Sequence, residues 1–171
     1  MNIVRASLKH AELLSVLGRQ TFDDTFRGTC SDEDLEGVLE EFYNLPQVEK
    51  ELSNPKDMFH IYFDDETAAG YSRMKADEEK PASIFSPNSI ELKRIYFLPE
   101  FHGKGMASQL LEYVMGEAKA LGHDQIYLSV WEHNHRGMGF YKKHGFINSE
   151  VENPFPLGET PQMDYWFCKE L

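Results

Sequence analysis

Cysteine, positive charge and long apolar runs are all scarce in this chain of 171 residues. Its two cysteines, Cys30 and Cys168, stand far apart, which argues against a disulfide framework or a metal knuckle. Lysine and arginine number 17 against 29 aspartates and glutamates, a formal net charge of −12. That imbalance disfavours nucleic-acid phosphate and anionic membranes as partners, and it favours small cations. No run of about 18 apolar residues exists, so no transmembrane helix is expected. The opening Met1-Asn2-Ile3-Val4-Arg5 lacks the apolar stretch of a signal peptide, which points to a cytoplasmic enzyme or binding module. Repeats and low-complexity segments are missing too. A hydrophobic content of 41% is ordinary, and the length suits one domain spanning residues 1–171.

The periodicities alternate between helical and extended. Residues 2–6 read as a short strand, and Ser7 is placed to cap a helix over residues 8–26, with Leu14, Leu17 and Thr21 on one face. Ser31-Asp32-Glu33-Asp34 has the form of a capping box ahead of Leu35, Val38, Leu39 and Phe42. Pro46 is expected to end or bend that helix before a short helical turn over 47–52. Residues 58–63 and 68–74 read as strands about a turn at Asp64-Asp65-Glu66, and the proline-bearing stretch 77–88 as a loop. A strand over 89–98 follows, then a loop to Gly105. Ala107, Leu110, Leu111, Val114, Ala118 and Leu121 next mark an amphipathic helix closed by Gly122. Strands at 125–131, 146–151 and 162–169 and a short helix at 134–144 complete a mixed α/β order.

Chemistry is concentrated at His102-Gly103-Lys104-Gly105-Met106-Ala107-Ser108, between a strand and a helix. Glycines without Cβ let a ligand approach the backbone, and a helix start offers unpaired N–H groups to an anion. No Gly-Lys-[Ser/Thr] closes this loop, so it is not a Walker A loop. Ser108 occupies the third-glycine position of a dinucleotide fingerprint, and Glu132 lies well beyond the spacing of about 20 residues expected for its ribose-binding acid. The loop resembles instead the Arg/Gln-x-x-Gly-x-Gly/Ala pattern of the GNAT superfamily of N-acetyltransferases. Downstream, Asn134-x-x-Gly137-x-x-Phe140-Tyr141-x-Lys143-x-Gly145-Phe146 is similar to the same family's closing motif, with Gly137 in place of alanine. Two motifs in order, one helix and one strand apart, make the resemblance specific over residues 90–147.

The resemblance implies an α/β fold: a central, mixed but mostly antiparallel sheet of six or seven strands, split at its middle, with helices on both faces. It implies acetyl-CoA as cosubstrate and no metal. Ile95, Tyr96 and Phe97 would offer backbone hydrogen bonds to the pantetheine arm, and His102, Gly103, Lys104, Gly105, Met106, Ala107 and Ser108 would cradle the pyrophosphate. Asn134 would contact the cofactor, and Tyr141 would protonate the departing thiolate. His102 puts a titratable group where the family usually carries Arg or Gln. Gly137 is expected to let the cofactor approach more closely.

An amine with a pKa of roughly 10.4 must lose a proton before it attacks, so a base is required. Glu91, on the strand leading into the loop, is the first candidate; a water chain and Glu132 are the others. His133 and His135 have no third ligand nearby and do not form a metal site. Thr21-Phe22-Asp23-Asp24-Thr25-Phe26, the helix beyond Asp34-Leu35, and the ending Asp164-Tyr165-Trp166-Phe167 resemble bacterial spermidine/spermine-type N-acetyltransferases. That resemblance implies a small cationic amine as acceptor, with Asp23 and Asp24 as substrate-binding candidates beside Glu33 and Asp34. A protein or antibiotic amine as acceptor, or a CoA-binding regulator with little catalysis, are the alternatives. Dimers are common in the family, which leaves monomer and homodimer both open.

Overall fold

The computed structural model describes residues 2–77 and 85–171. Most of the expected 77–88 loop therefore lies outside the described residues. One sheet of seven strands carries the fold, in the order β1-β2-β3-β4-β5-β7-β6. These strands are β1 (Ile3–Arg5), β2 (Asp57–Asp64), β3 (Thr67–Lys75), β4 (Ser89–Phe97), β5 (Gln125–Trp131), β6 (Ile147–Pro154) and β7 (Met163–Glu170). All neighbouring pairs are antiparallel except β4–β5. That parallel pair needs a crossover, which helix α4 (Met106–Ala120) supplies.

Alternation along the strands sends side chains to two separate cores. On one face, α1 (Ala11–Phe26), α2 (Asp32–Tyr43) and α3 (Leu45–Ser53) bring Leu14, Leu17, Phe22, Leu35, Leu39 and Val48 against Phe59, Ile61 and Tyr71. On the other, Leu110, Leu111, Val114 and Ala118 of α4 are 0% exposed and pack on Ile90, Leu92, Ile126, Leu128 and Phe167. Full burial of each leucine or valine contributes about 1.5–3 kcal/mol, so α4 is anchored without help from its polar face. Helix α5 (His135–Lys143) leans on this second core through Met138, Phe140 and Tyr141.

Three element boundaries differ from the sequence reading. The first helix begins at Ala11, because residues Leu8–His10 form a 3-10 turn in which His10 Nδ1 accepts from the Ser7 N–H at 3.0 Å. Pro46 starts a helix instead of ending one. Asn44 closes α2 and its side chain then caps α3, accepting from the Gln47 N–H at 2.8 Å, so proline falls in the first turn where no donor is needed. Strand β6 runs on to Pro154, with Glu150 at φ 62 where its pairing with β7 is irregular.

Candidate active site

The sheet opens between β4 and β5. Their parallel ladder covers only Ser89↔Gln125, Ile90↔Ile126 and Glu91↔Tyr127. Beyond that level β4 pairs with β3 alone, as far as Phe97, and β5 pairs with β7 alone, as far as Trp131. The facing edges of residues 92–97 and 128–131 are thereby left without a strand partner, and buried backbone groups require one. A cleft of about 620 Å³ occupies the split. Ile95, Tyr96, Phe97, His102, Ala107, Asn134 and Tyr141 line it, as do Glu91 and Asp24.

Gly103, Lys104, Gly105, Met106 and Ser108 lie beyond these lining residues, on the chain entering α4. Gly103 and Gly105 have φ of 78° and 82°, and a Cβ on either would point into space free of atoms within 4 Å. Gly105 is the N-cap of α4, so the N–H groups of Met106, Ala107 and Ser108 have no carbonyl one turn back within the helix. This is an open, donor-rich cradle that suits a pyrophosphate. Ser108 ties it to the second motif, its Oγ lying 2.9 Å from His144 Nε2.

His102 is held by partners on both sides of its ring. Its Nε2 lies 2.8 Å from the Phe97 carbonyl, and its Nδ1 lies 2.9 Å from Arg136 Nη1. A guanidinium always donates, so Nδ1 accepts from Arg136 and Nε2 is left to donate to the Phe97 carbonyl. Arg136, which sequence reasoning passed over as a variable motif position, is the permanent cation at this end of the cleft. The freedom expected at Gly137 is used by its own helix. A Cβ there would meet the Asn134 side chain at 2.7 Å, whose Oδ1 accepts from the Gly137 N–H at 2.7 Å. Glycine thus makes room for the cap of α5 at a position that also lines the cleft.

Tyr141 extends from α5 into the cleft, its ring edge-on to Phe146 at 5.6 Å. Burial pushes its phenol well above the ordinary range, which keeps the proton on at neutral pH. The Tyr96 phenol is raised also, first by burial and then by Tyr43 and Tyr141, with Asp164 contributing.

The opposite wall, from α1 and α3, is charged and aromatic. Glu51 of α3 binds Arg73 Nη1 at 2.7 Å and Arg94 Nη1 at 2.9 Å, and Arg73 Nε holds Asp57 at 2.7 Å. Arg73 and Arg94 are direct cross-strand neighbours, a repulsion that Glu51 and Asp57 offset. Glu91 is 5% exposed and pairs with Lys93 Nζ at 2.8 Å. Asp24 is exposed at the cleft, whereas Asp23 turns to a shallow groove on α1 and α2, where Arg27 grips both its oxygens. Asp23 is therefore already neutralised and faces away. Asp34 is also committed: it accepts from the Glu159 N–H and the Thr160 hydroxyl, both at 3.0 Å, and the Glu159 bond leads in lowering its pKa. Glu132 and both cysteines lie outside the cleft lining. Asp164 of β7, absent from the expected site, lines it and is 7% exposed.

Residues 19–146 match the model of the acetyltransferase (GNAT) family. An uncharacterised N-acetyltransferase of Lactobacillus delbrueckii subsp. lactis is 30% identical over 171 residues, covering 100% of this chain and 98% of its own. A spermidine N(1)-acetyltransferase of Thermoplasma acidophilum is 28% identical over 85% of this chain and 88% of its own. The crystal structure of the PaiA N-acetyltransferase from Thermoplasma acidophilum in complex with coenzyme A superposes with a TM-score of 0.81 at 25% identity. It covers 99% of this chain and 98% of that one. The split sheet, the glycine cradle and these likenesses agree: the chain belongs to the GNAT family and is an N-acetyltransferase that uses acetyl-CoA.

Proposed function

We propose that this enzyme acetylates a small polycationic amine such as spermidine or spermine, by direct attack within a ternary complex. The observation that carries the reading is the composition of the acceptor wall. Carboxylates of Asp24, Glu91 and Asp164 are interleaved there with the rings of Phe22, Phe26, Tyr96 and Trp131. An ammonium group is attracted both to carboxylates and to aromatic faces, the latter by about 0.5–2 kcal/mol each. The spermidine acetyltransferase among the relatives and the net charge of −12 point the same way.

Bound acetyl-CoA supplies the activated acetyl group as a thioester. The freed edges of β4 and β5 hydrogen-bond the pantetheine arm, while the N–H groups at 105–108 and the Arg136 guanidinium hold the pyrophosphate. Tyr141 keeps its proton until sulfur departs and then delivers it to the thiolate. A carboxylate on the acceptor wall takes the ammonium proton, the role assigned to Glu91 from sequence.

A panel of polyamines, peptides and aminoglycosides incubated with acetyl-CoA, read by release of free thiol, tests the acceptor. Spermidine or spermine should give the highest kcat/KM. Its KM should rise with ionic strength, because charge capture is screened beyond a Debye length of about 8 Å at physiological salt. Turnover of peptides or aminoglycosides with none of polyamines would overturn the substrate assignment and leave the acetyl transfer standing.

A further inference from the structure

Four carboxylates border the acceptor wall, and their surroundings separate them: Glu51 is already shared by Arg73 and Arg94. Asp24 is exposed to solvent at the rim of the cleft. Glu91 is buried but is held by Lys93, and it sits at the last level where β4 and β5 still pair, below the opening of the split. Asp164 is buried and, among the described residues, forms no ion pair with a lysine, arginine or histidine. It stands opposite Trp131 in the β5–β7 ladder, on the arm of the split that has left β4.

Strand alternation fixes which side it faces. Phe167 belongs to the α4 core with Tyr165 packed against it, whereas Trp166 packs edge-on against Phe85 and Tyr127 away from that core. Asp164 shares the face of Trp166, which is the acceptor side. Tyr141 comes from α5, which packs on the α4 core. Tyr96, Tyr141 and Asp164 all line the one cleft, and both Tyr141 and Asp164 help to raise the Tyr96 phenol.

We propose that Asp164 takes the proton from the acceptor amine, with Ser129 as its positioning residue. The inference rests on acetyl transfer to an amine and not on that amine being a polyamine. One ammonium proton passes to the Asp164 carboxylate. The freed nitrogen forms a C–N bond to the acetyl carbon as the C–S bond breaks, and Tyr141 gives its proton to the departing sulfur. The second nitrogen proton returns through water to Tyr141, and Asp164 releases its own to solvent. The balance is one ammonium and one thioester in, and one amide, one thiol and one proton out.

The groups facing Asp164 suit this task. Burial, opposed by a hydrogen bond from Ser129, its diagonal neighbour across the β5–β7 ladder, and aided by Glu132 just past β5, leaves its carboxyl raised to about 6. Tyr96 on β4, Tyr141 on α5 and Asn153 across the β6–β7 ladder are its other polar neighbours around the cleft, and all are uncharged. A carboxylate of that kind is ionised at neutral pH yet more basic than an exposed one.

The test compares wild type, Asp164→Asn, Ser129→Ala and Glu91→Gln on whichever amine of the panel turns over best. Asp164→Asn should lose about 10²-fold or more in kcat/KM and should lose the acid limb near pH 6, while acetyl-CoA affinity is retained. Ser129→Ala should shift that limb to higher pH, because the bond that lowers the Asp164 pKa is gone, a movement no purely structural role explains. If Asp164→Asn does not fold, carbon-13 NMR of wild type with labelled aspartate replaces it, and one carboxyl should titrate near 6. Asp164→Asn within threefold of wild type, an unmoved limb in Ser129→Ala, or no aspartate titrating above about 5 would overturn the proposal. An active Asp164→Asn beside an active wild type defeats this inference alone. A wild type that releases no thiol with any amine defeats the transfer reading together with it.

Discussion

The two walls of the cleft are built on different principles. The cofactor wall consists of β4, the glycine cradle, α4 and α5, and its working groups are mostly backbone N–H and C=O, supported by an apolar core. The acceptor wall is built from α1, α3, β7 and the side chains of Glu91, Arg94, Tyr96 and Trp131 on β4 and β5, and its working groups are side chains drawn from distant parts of the chain, many of them charged. Backbone sites tolerate sequence change because any residue supplies the same peptide groups, and only glycine positions are fixed by φ. Side-chain sites depend on each partner. The first wall suits a ligand shared by a whole family, and the second suits one that differs between its members.

The sharpest way to break that contrast is through the buried ions of the acceptor wall. Glu51→Gln removes the carboxylate shared by Arg73 and Arg94, leaving Arg73 with Asp57 and Arg94 without an acidic partner among the described residues. Loss of one partner from a buried network costs about 3–5 kcal/mol, so denaturant unfolding should show a drop of that order. A change below about 1 kcal/mol would show that the wall is held by packing alone, like its counterpart.

Tyr141→Phe probes the one side chain on the cofactor wall given a chemical role. kcat should fall by about 10²-fold, while the thermal stabilisation given by acetyl-CoA stays unchanged. An unaltered kcat would assign that wall to binding only.

A smaller effect separates two adjacent aspartates. Asp24→Asn should raise KM for spermidine by about threefold to fivefold at low salt, the scale of an exposed charge pair, with little change in kcat. Asp23→Asn should leave KM alone, because Arg27 already neutralises that carboxylate on the far side of α1. Equal effects from both would mean that diffuse negative charge, and not a placed carboxylate, captures the amine.

The sequence by itself determined what depends on short-range pattern. Helical spacing at Leu110, Leu111, Val114 and Ala118 fixed α4, and Gly103 and Gly105 fixed the cradle, because positive φ and a helix start are local matters. Tyr141 was legible for the same reason: its motif and its helix lie in one stretch of chain. What the tertiary structure alone decided was which side chains meet. Arg136 reaches back 34 residues to His102 and fixes its ring at the edge of the cleft. Asp34 bonds to a loop 125 residues away, Asp23 turns from the cleft while Asp24 borders it, and Glu51 gathers arginines from two strands. Asp164 was visible as an alternating strand residue, but alternation names two faces without saying which one a cleft will occupy. Its burial, and with it its basicity, exists only once β5 has parted from β4 and β7 has been carried to the edge of the opening. Local pattern sets backbone geometry; desolvation and charge pairing belong to the assembled fold, because both depend on neighbours that the order of residues does not name.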